Sequence, residues 1–122
     1  MQQQITQRTI GITILFLFTV FSNIAQTPVF KHFTTEDGLP SSECYQVLQD
    51  KKGFIWIATD HGVSRYNGSR FENFTTRNGL PENSVLRMYE DESGKLWVAS
   101  LTGKIAYFHQ ERFIPLKVNA QL

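Results

Sequence analysis

An internal repeat constrains the fold of this chain more than any other feature of its sequence. FTTEDGLP at residues 33–40 returns as FTTRNGLP at residues 74–81, and a shift of 41 residues aligns the two copies without a gap as far as Gly62 and Gly103. Eleven of these thirty aligned positions are identical, and one inserted residue near Lys104 extends the match to Phe113. A period of this length is typical of stacked repeat architectures.

Each repeat contains four short runs rich in β-branched and aromatic residues, separated by turn residues. The runs of the first repeat are CYQVLQ, FIWIAT, GVSRY and RFENF, and those of the second are VLRMYE, KLWVAS, KIAYF and RFIPL. Apolar residues do not recur at helical spacing over three turns after the first 26 residues, so strands are predicted. The turns DKKG and DESG place Asp first and Gly fourth, and Asn67-Gly68 predicts a two-residue hairpin in the first repeat.

Four antiparallel strands in about 40 residues describe one blade of a β-propeller. The second run of each repeat is apolar on both alternating faces, as expected for a strand packed between neighbouring blades. The sequence therefore predicts an all-β chain with two four-stranded antiparallel blades. Trp56 and Trp97 are interpreted as packing anchors between blades, with sugar stacking as the alternative, and Cys44 as a small buried residue, because Val85 is its equivalent.

The repeated pattern resembles the two-component regulator propeller repeat. The pattern is Asp-x-x-Gly-x-x-Trp-x-Ala-(Thr/Ser)-x-x-Gly followed by an aliphatic and an aromatic residue, with GLP before it. It is carried by Asp50, Gly53, Trp56, Ala58, Thr59, Gly62, Val63 and Tyr66, and again by Asp91, Gly94, Trp97, Ala99, Ser100, Gly103, Ile105 and Phe108.

The resemblance implies a role as well as a fold. Proteins with this repeat are mostly extracytoplasmic sensor portions of bacterial hybrid histidine kinases, and many respond to oligosaccharides. The expected function is a non-catalytic ligand-sensing segment of a two-component sensor, with an oligosaccharide as a possible ligand. The alternatives are a secreted carbohydrate-binding or protein-docking propeller and a fragment of a propeller glycoside hydrolase.

The beginning of the chain has the order of a secretory signal peptide. Arg8 lies in a polar start, an apolar run covers residues 10–21, and small residues follow it. This run is too short to span a bilayer, which takes about 20 apolar residues. We expect a signal peptide at residues 1–25, export to the periplasm or medium, and no membrane contact except through this segment or one further downstream. The net charge of +1 gives no indication of nucleic-acid binding.

Strand parity predicts where a ligand would bind. If successive strands of a blade alternate in direction, the GLP segments and the TDHG and SLTG turns share one rim, and loops at one end of a rigid scaffold often carry binding residues. The candidate ligand-binding residues are Ser42, Glu43, Asp60, His61 and Asn83. Each of them also has an alternative reading as a solvated loop residue.

Catalytic and metal chemistry have little support in the sequence. His32, His61 and His109 have no metal-ligand spacing, and the acidic residues cluster at turns and loop ends. No catalytic residue, metal site or cofactor is therefore predicted.

Propellers close with about four to eight blades, whereas this chain supplies two. We expect residues 26–33 to form a leading outer strand, 34–74 blade 1, 75–117 blade 2 and 118–122 a tail. This organisation predicts the amino-terminal piece of a larger sensor, whose missing blades would be its partners. The alternative is a short protein that completes a ring with other copies of itself.

Overall fold

The computed structural model describes residues 2–8 and 27–121 and divides the chain into two units, Met1–Lys31 and His32–Leu122. In the first unit, residues 2–8 are helical. Most of the predicted signal peptide, residues 9–25, lies outside the described residues. No helix of the described ranges is long and apolar enough to cross a membrane.

The second unit consists of two four-stranded antiparallel sheets, each in simple sequential order. We refer to them as blade 1 and blade 2. Blade 1 contains β1 (Cys44–Gln49), β2 (Ile55–Thr59), β3 (Gly62–Tyr66) and β4 (Phe71–Phe74), and blade 2 contains β5 (Val85–Glu90), β6 (Leu96–Ser100), β7 (Ile105–His109) and β8 (Arg112–Pro115). The eight predicted strands are confirmed, with ends that move by at most one residue.

The repeat is preserved in the register of the strands. Trp56 pairs with Arg65 across β2 and β3, and Trp97 pairs with Tyr107 across β6 and β7, so one inserted residue accounts for the longer turn of blade 2. The innermost strands, β1 and β5, even carry a β-bulge at the same place, before Gln46 and before Arg87. The predicted third strand of blade 2 is thereby confirmed.

The repeated phrase at residues 33–40 and 74–81 forms a capped turn between an outer strand and the next inner strand. Thr34 begins the 3-10 helix Thr35–Asp37, and the Asp37 carboxylate accepts a hydrogen bond of 2.7 Å from the Thr34 amide. The second copy repeats this capping box over Thr76–Asn78. Each turn ends at a glycine in the left-handed region, Gly38 or Gly79, and the leucine that follows is buried.

The core lies between the two blades. Trp56, 2% exposed, packs from blade 1 against Phe108 and Phe113 of blade 2, with ring centroids 4.9 and 6.4 Å away. Phe74, at the end of β4, contacts the same three rings. The prediction that Trp56 anchors the packing between blades is confirmed. Trp97 is half-buried on the far side of blade 2, so only one of the two anchors is covered.

Two sequence expectations differ from the structure. Cys44 is exposed, although its equivalent Val85 is fully buried, because β5 packs against blade 1 whereas this part of β1 has no such neighbour among the described residues. The described part of the expected leading strand, residues 27–33, forms no strand. Its last residue, Phe33, nevertheless makes the ring contacts expected from the repeat. Phe33 contacts Tyr66 and Phe71, and its equivalent Phe74 contacts the equivalent rings of Phe108 and Phe113.

The segment after β8 is a further 3-10 helix, Lys117–Gln121. The Asn119 side chain accepts a hydrogen bond from the Ile105 amide at 2.9 Å and donates one to the Ile105 carbonyl at 2.7 Å. These two bonds tie the predicted tail to the start of β7.

Candidate functional site

The connectors and the β2–β3 and β6–β7 turns meet at one rim, as strand parity predicts. The Gly62 amide donates to the Asn83 carbonyl at 2.6 Å, and the Leu101 amide donates to the Ser84 carbonyl at 2.9 Å. The connector between the blades is therefore hydrogen-bonded to the turn of the blade on each side. We call this edge the connector rim.

Asp60 and His61 form an ion pair at the connector rim. His61 Nδ1 lies 2.9 Å from Asp60 Oδ2, and the two side chains are 69% and 25% exposed. Thr59 fixes this two-residue turn, because its buried hydroxyl accepts from the His61 amide and donates to the Gly62 carbonyl.

The pair changes the acidity of both groups. The hydrogen bond from His61, followed by one with Ser41, lowers the pKa of Asp60. The same bond, together with the Asp60 charge, raises the pKa of His61 above its ordinary value of 6.5. Glu43 contributes to this rise through its charge, so two carboxylates act on one imidazole.

Tyr45 lies beside Glu43 at the connector rim. The Tyr45 hydroxyl donates to Glu43 Oε2 at 3.4 Å, and the Tyr45 side chain is 42% exposed. Partial burial, then the charges of Glu43 and Asp60, raise the pKa of Tyr45. The structure thus places Glu43, Asp60 and His61 near one another and adds Tyr45, which is not among the candidate residues predicted from the sequence.

The remaining two candidate residues have different surroundings. Ser42 is exposed on the connector before β1. Asn83 is also exposed, but its side-chain oxygen accepts from the Thr76 amide at 2.9 Å, and its carbonyl holds Gly62. Asn83 therefore stabilises the connector, whereas Ser42 is open to solvent.

The repeat carries one signal for Tyr45. Its equivalent in blade 2 is Leu86, so an aromatic ring near the candidate Glu43 is a difference between the two copies. That this ring is exposed is seen only in the structure. The bulge at Tyr45 breaks the alternation of β1, and for this reason a simple two-residue period does not indicate which face it occupies.

A second concavity lies at the opposite rim, between the two blades. It is a cleft of about 480 Å³ between the Asp50–Gly53 turn, the turn before β6 and the β7–β8 hairpin. Its floor contains Phe54, Trp56 and Phe108. No residue proposed from the sequence as ligand-binding lines this cleft.

Arg65 forms the polar centre of this cleft. Its guanidinium lies 4.9 to 5.5 Å from the ring centroids of four aromatic side chains, namely Phe54, Trp56, Phe74 and Phe108. It pairs with Glu72 of blade 1 at 2.6 Å and Glu111 of blade 2 at 2.5 Å. Burial lowers the pKa of Arg65, but the bonds to the two glutamates outweigh this and raise it. Arg65 thus joins the two blades by stacking and by charge.

Within residues 2–8 and 27–121, no three His, Cys, Asp or Glu side chains are arranged to hold a metal ion. The groups that meet at the connector rim are the Glu43 and Asp60 carboxylates, the His61 imidazole and the Tyr45 ring.

Two four-stranded antiparallel sheets that pack face to face around Trp56 are two adjacent blades of a β-propeller. Residues 38–61 and 79–102 both match the family described as two component regulator propeller. Both repeats thus match this family, which confirms the resemblance seen in the sequence.

Two similar proteins agree with this assignment. Histidine kinase P4 of Formosa agariphila is 41% identical over 68 residues, which cover 52% of this chain and 5% of that kinase. The extracellular domain assigned to a hybrid two-component system of B. thetaiotaomicron matches with a TM-score of 0.64 at 21% identity, over 80% of this chain and 14% of that one. The chain thus spans a small part of the length of either protein, and the second similarity shows the fold.

Proposed function

We propose that the two blades are part of an extracytoplasmic, ligand-sensing propeller of a two-component sensor and bind their ligand without catalysis. The observation that carries this proposal is the grouping of Glu43, Asp60 and His61 beside the exposed ring of Tyr45 at the connector rim. The family of the two repeats supports the signalling context.

The groups at the connector rim suit a neutral, hydroxyl-rich ligand such as an oligosaccharide. The Glu43 and Asp60 carboxylates accept hydrogen bonds from hydroxyl groups, and Tyr45 offers an aromatic surface of the kind that stacks on apolar ligand faces. Ser42 adds an exposed hydroxyl on the same connector. We assign ligand contact to Ser42, Glu43, Asp60 and His61, and a supporting role to Asn83.

The proposed location outside the cytoplasm is supported by two observations. The apolar run after Arg8 has the length and flanks of a signal peptide. The similar structure from B. thetaiotaomicron is an extracellular domain. A kinase in the same polypeptide is part of the proposal because Histidine kinase P4 carries a similar segment.

Calorimetric titration of the full chain with a panel of neutral oligosaccharides tests ligand binding. Asp60→Asn and Glu43→Gln should each weaken binding about tenfold, as expected for the loss of hydrogen bonds to a charged group. Glu92→Gln is the matched control, because Glu92 is an exposed carboxylate at the opposite rim. Equal affinities for all three variants would contradict the assigned site.

Analysis of the sugars after incubation tests the absence of catalysis. We expect every bound oligosaccharide to be recovered intact by mass spectrometry. Shortened products that disappear in Asp60→Asn would instead support the hydrolase alternative.

A further inference from the structure

Arg65 presents a binding fork for a carboxylate inside the cleft between the blades. Its Nη1 donates to Glu111 Oε1 at 3.2 Å and its Nη2 donates to Glu111 Oε2 at 2.5 Å. Two parallel bonds of this kind are the usual way in which arginine recognises a carboxylate. The Arg65 side chain is 13% exposed and that of Glu111 is 65% exposed, so Glu111 fills the fork from the solvent side.

The guanidinium is held in position by blade 1 alone. Glu72, across from Arg65 in the β3–β4 pair, accepts from Nη2 at 2.6 Å. The rings of Phe54, Trp56 and Phe74, all in blade 1, lie within 5.5 Å of the guanidinium. The fork therefore keeps its orientation when Glu111 of blade 2 is absent from it, and a pre-oriented group binds with a smaller entropic cost.

The repeat itself does not require an arginine at this position. Arg65 pairs with Trp56 across β2 and β3, and the residue that pairs with Trp97 across β6 and β7 is Tyr107. Both blades form the same four strands with either residue. The fork is therefore a feature of this cleft and not of the blade fold.

The turn that carries Glu111 has an unfavourable backbone. His109 pairs with Arg112, so Gln110 and Glu111 form the two-residue turn of the β7–β8 hairpin. Their φ angles are 49° and 60°, in the left-handed region where Asn and Gly are favoured. Strain of this kind is often found where a side chain is held for binding. Here it holds an exposed glutamate against an arginine of the other blade.

The cleft has room for a small molecule beside the fork. Its volume of about 480 Å³ lies in the range of small-molecule sites. Phe54 and Phe108 line it and are half-buried, so they offer apolar surface next to the guanidinium. The hydrogen bond from Arg65 lowers the pKa of Glu111, and the charge of Lys52 at the mouth contributes to the same shift. Two cations thus act on the place that the carboxylate occupies.

The other acidic residues of the cleft do not oppose an anionic ligand that replaces Glu111. Asp50 accepts from two backbone amides and from the Trp56 indole, and Glu90 accepts from the Lys51 amide at 3.0 and 3.2 Å. Both carboxylates are therefore engaged in their own turns. One carboxylate at the fork exchanged for another leaves the charge around the guanidinium unchanged.

We propose that the cleft between the blades binds a small carboxylic acid with a flat apolar body, whose carboxylate replaces that of Glu111 on Arg65. The apolar body lies against Phe54 and Phe108, and the exposed Glu111 side chain moves into solvent. Both walls of this site belong to the two described blades. The site lies at the rim opposite the connector rim, and it does not depend on the proposed sensing function.

Nuclear magnetic resonance titration of the labelled full chain with phenylacetate tests the proposal. Phenylacetamide is the matched probe, because it keeps the ring and the size but has no charge. We expect phenylacetate to shift the Arg65 Nε–H signal and the Lys52 and Gly94 amides, and phenylacetamide to bind about tenfold more weakly or less. Equal binding of the two probes, or no shift with phenylacetate up to about 10 mM, would overturn the proposal.

Substitution of Glu111 distinguishes a binding fork from a purely structural ion pair. Glu111→Gln should strengthen phenylacetate binding by about fivefold or more, because the internal competitor loses its charge. Arg65→Gln should remove the preference for phenylacetate over phenylacetamide. Arg77→Gln is the matched control, since Arg77 is exposed at the connector rim, and it should bind like the original chain. Unchanged or weaker binding by Glu111→Gln would overturn the proposal.

Two further measurements keep the result decisive. Circular dichroism checks that Arg65→Gln retains its β-structure, and the result for Glu111→Gln stands by itself because that side chain is mostly exposed. Asp60→Asn, at the connector rim, should bind phenylacetate like the original chain. Loss of phenylacetate binding in Asp60→Asn would place the probe at the connector rim and overturn the assignment to the cleft.

Discussion

Asp50 and Trp56 are joined by a hydrogen bond of 2.8 Å between Oδ2 and Nε1, and the other Asp50 oxygen accepts from the Lys52 and Phe54 amides. One carboxylate therefore shapes the β1–β2 turn and fixes the indole that fills the space between blades. In blade 2 the Asp91 carboxylate accepts the same bonds from Trp97 Nε1 and from the Ser93 and Lys95 amides. This shared arrangement explains why Asp and Trp are six residues apart in both repeats.

We expect Asp50→Ala to lower the free energy of unfolding by roughly 2–3 kcal/mol, because a buried indole N–H loses its charged acceptor and the turn loses two bonds. Urea denaturation followed by circular dichroism measures this loss. Asp50→Asn keeps a side-chain oxygen and should lose less. The same substitution at Asp91 should have a smaller effect, because Trp97 is only half-buried. Equal losses at the two positions would contradict this argument.

Arg65 should contribute more than either of its acidic partners. Arg65→Ala removes a stacked, largely buried side chain from between four aromatic rings, which should cost roughly 1–3 kcal/mol in the free energy of unfolding. Glu111→Gln should cost less than about 1 kcal/mol, because its carboxylate is 65% exposed. Denaturation curves of both variants show which one loses more free energy of unfolding. A larger loss for Glu111→Gln would contradict this prediction and show that the ion pair contributes more than the stacking.

Two glycines with almost the same backbone angle provide a test of close packing. Gly79 has φ 93° and Gly68 has φ 95°, but a Cβ at Gly79 would collide with the Phe113 carbonyl, whereas at Gly68 it would meet open space. Gly68→Ala should cost roughly 1–2 kcal/mol in the free energy of unfolding from its left-handed backbone alone. Gly79→Ala should cost clearly more. Equal losses in thermal denaturation would mean that the connector can move away from blade 2.

The Asp60–His61 pair should make stability depend on pH. The His61 pKa is raised in the folded chain, so its contribution is complete below pH 6.5 and is lost as the pH rises through the folded value. The Asp60 pKa is lowered, so its contribution is present above pH 3.8 and is lost as the pH falls through the folded value. The pair therefore stabilises the turn most between these two pH values.

A titration of the His61 ring protons by nuclear magnetic resonance measures this coupling. Asp60→Asn should move the His61 midpoint to a lower pH, because the largest cause of the raised pKa is removed. Glu92→Gln, at the opposite rim, should leave it unchanged. An unchanged midpoint in Asp60→Asn would contradict the ion pair.

The candidate site could be predicted only in part from the sequence. Strand parity correctly places Asp60, His61 and the connector at one rim, because antiparallel strands must alternate in direction. Tyr45 was missed because the bulge in β1 breaks the alternation, and the structural role of Asn83 depends on the Gly62 amide, 21 positions away. Contact of these residues with a ligand stays a prediction.

The eight strands, the two blades and the turns between them can be predicted without the structure, because they depend on local spacing: Asp and Gly at a tight turn, alternating apolar residues, and a period of 41 residues. Which member of each equivalent pair is buried depends on how the blades pack. Trp56 and Val85 lie between the blades, whereas Trp97 and Cys44 lie on faces without a neighbouring blade among the described residues. The physical reason is that a repeat gives both copies the same strands, but burial depends on what packs against each face, and this differs between the two ends of a stack.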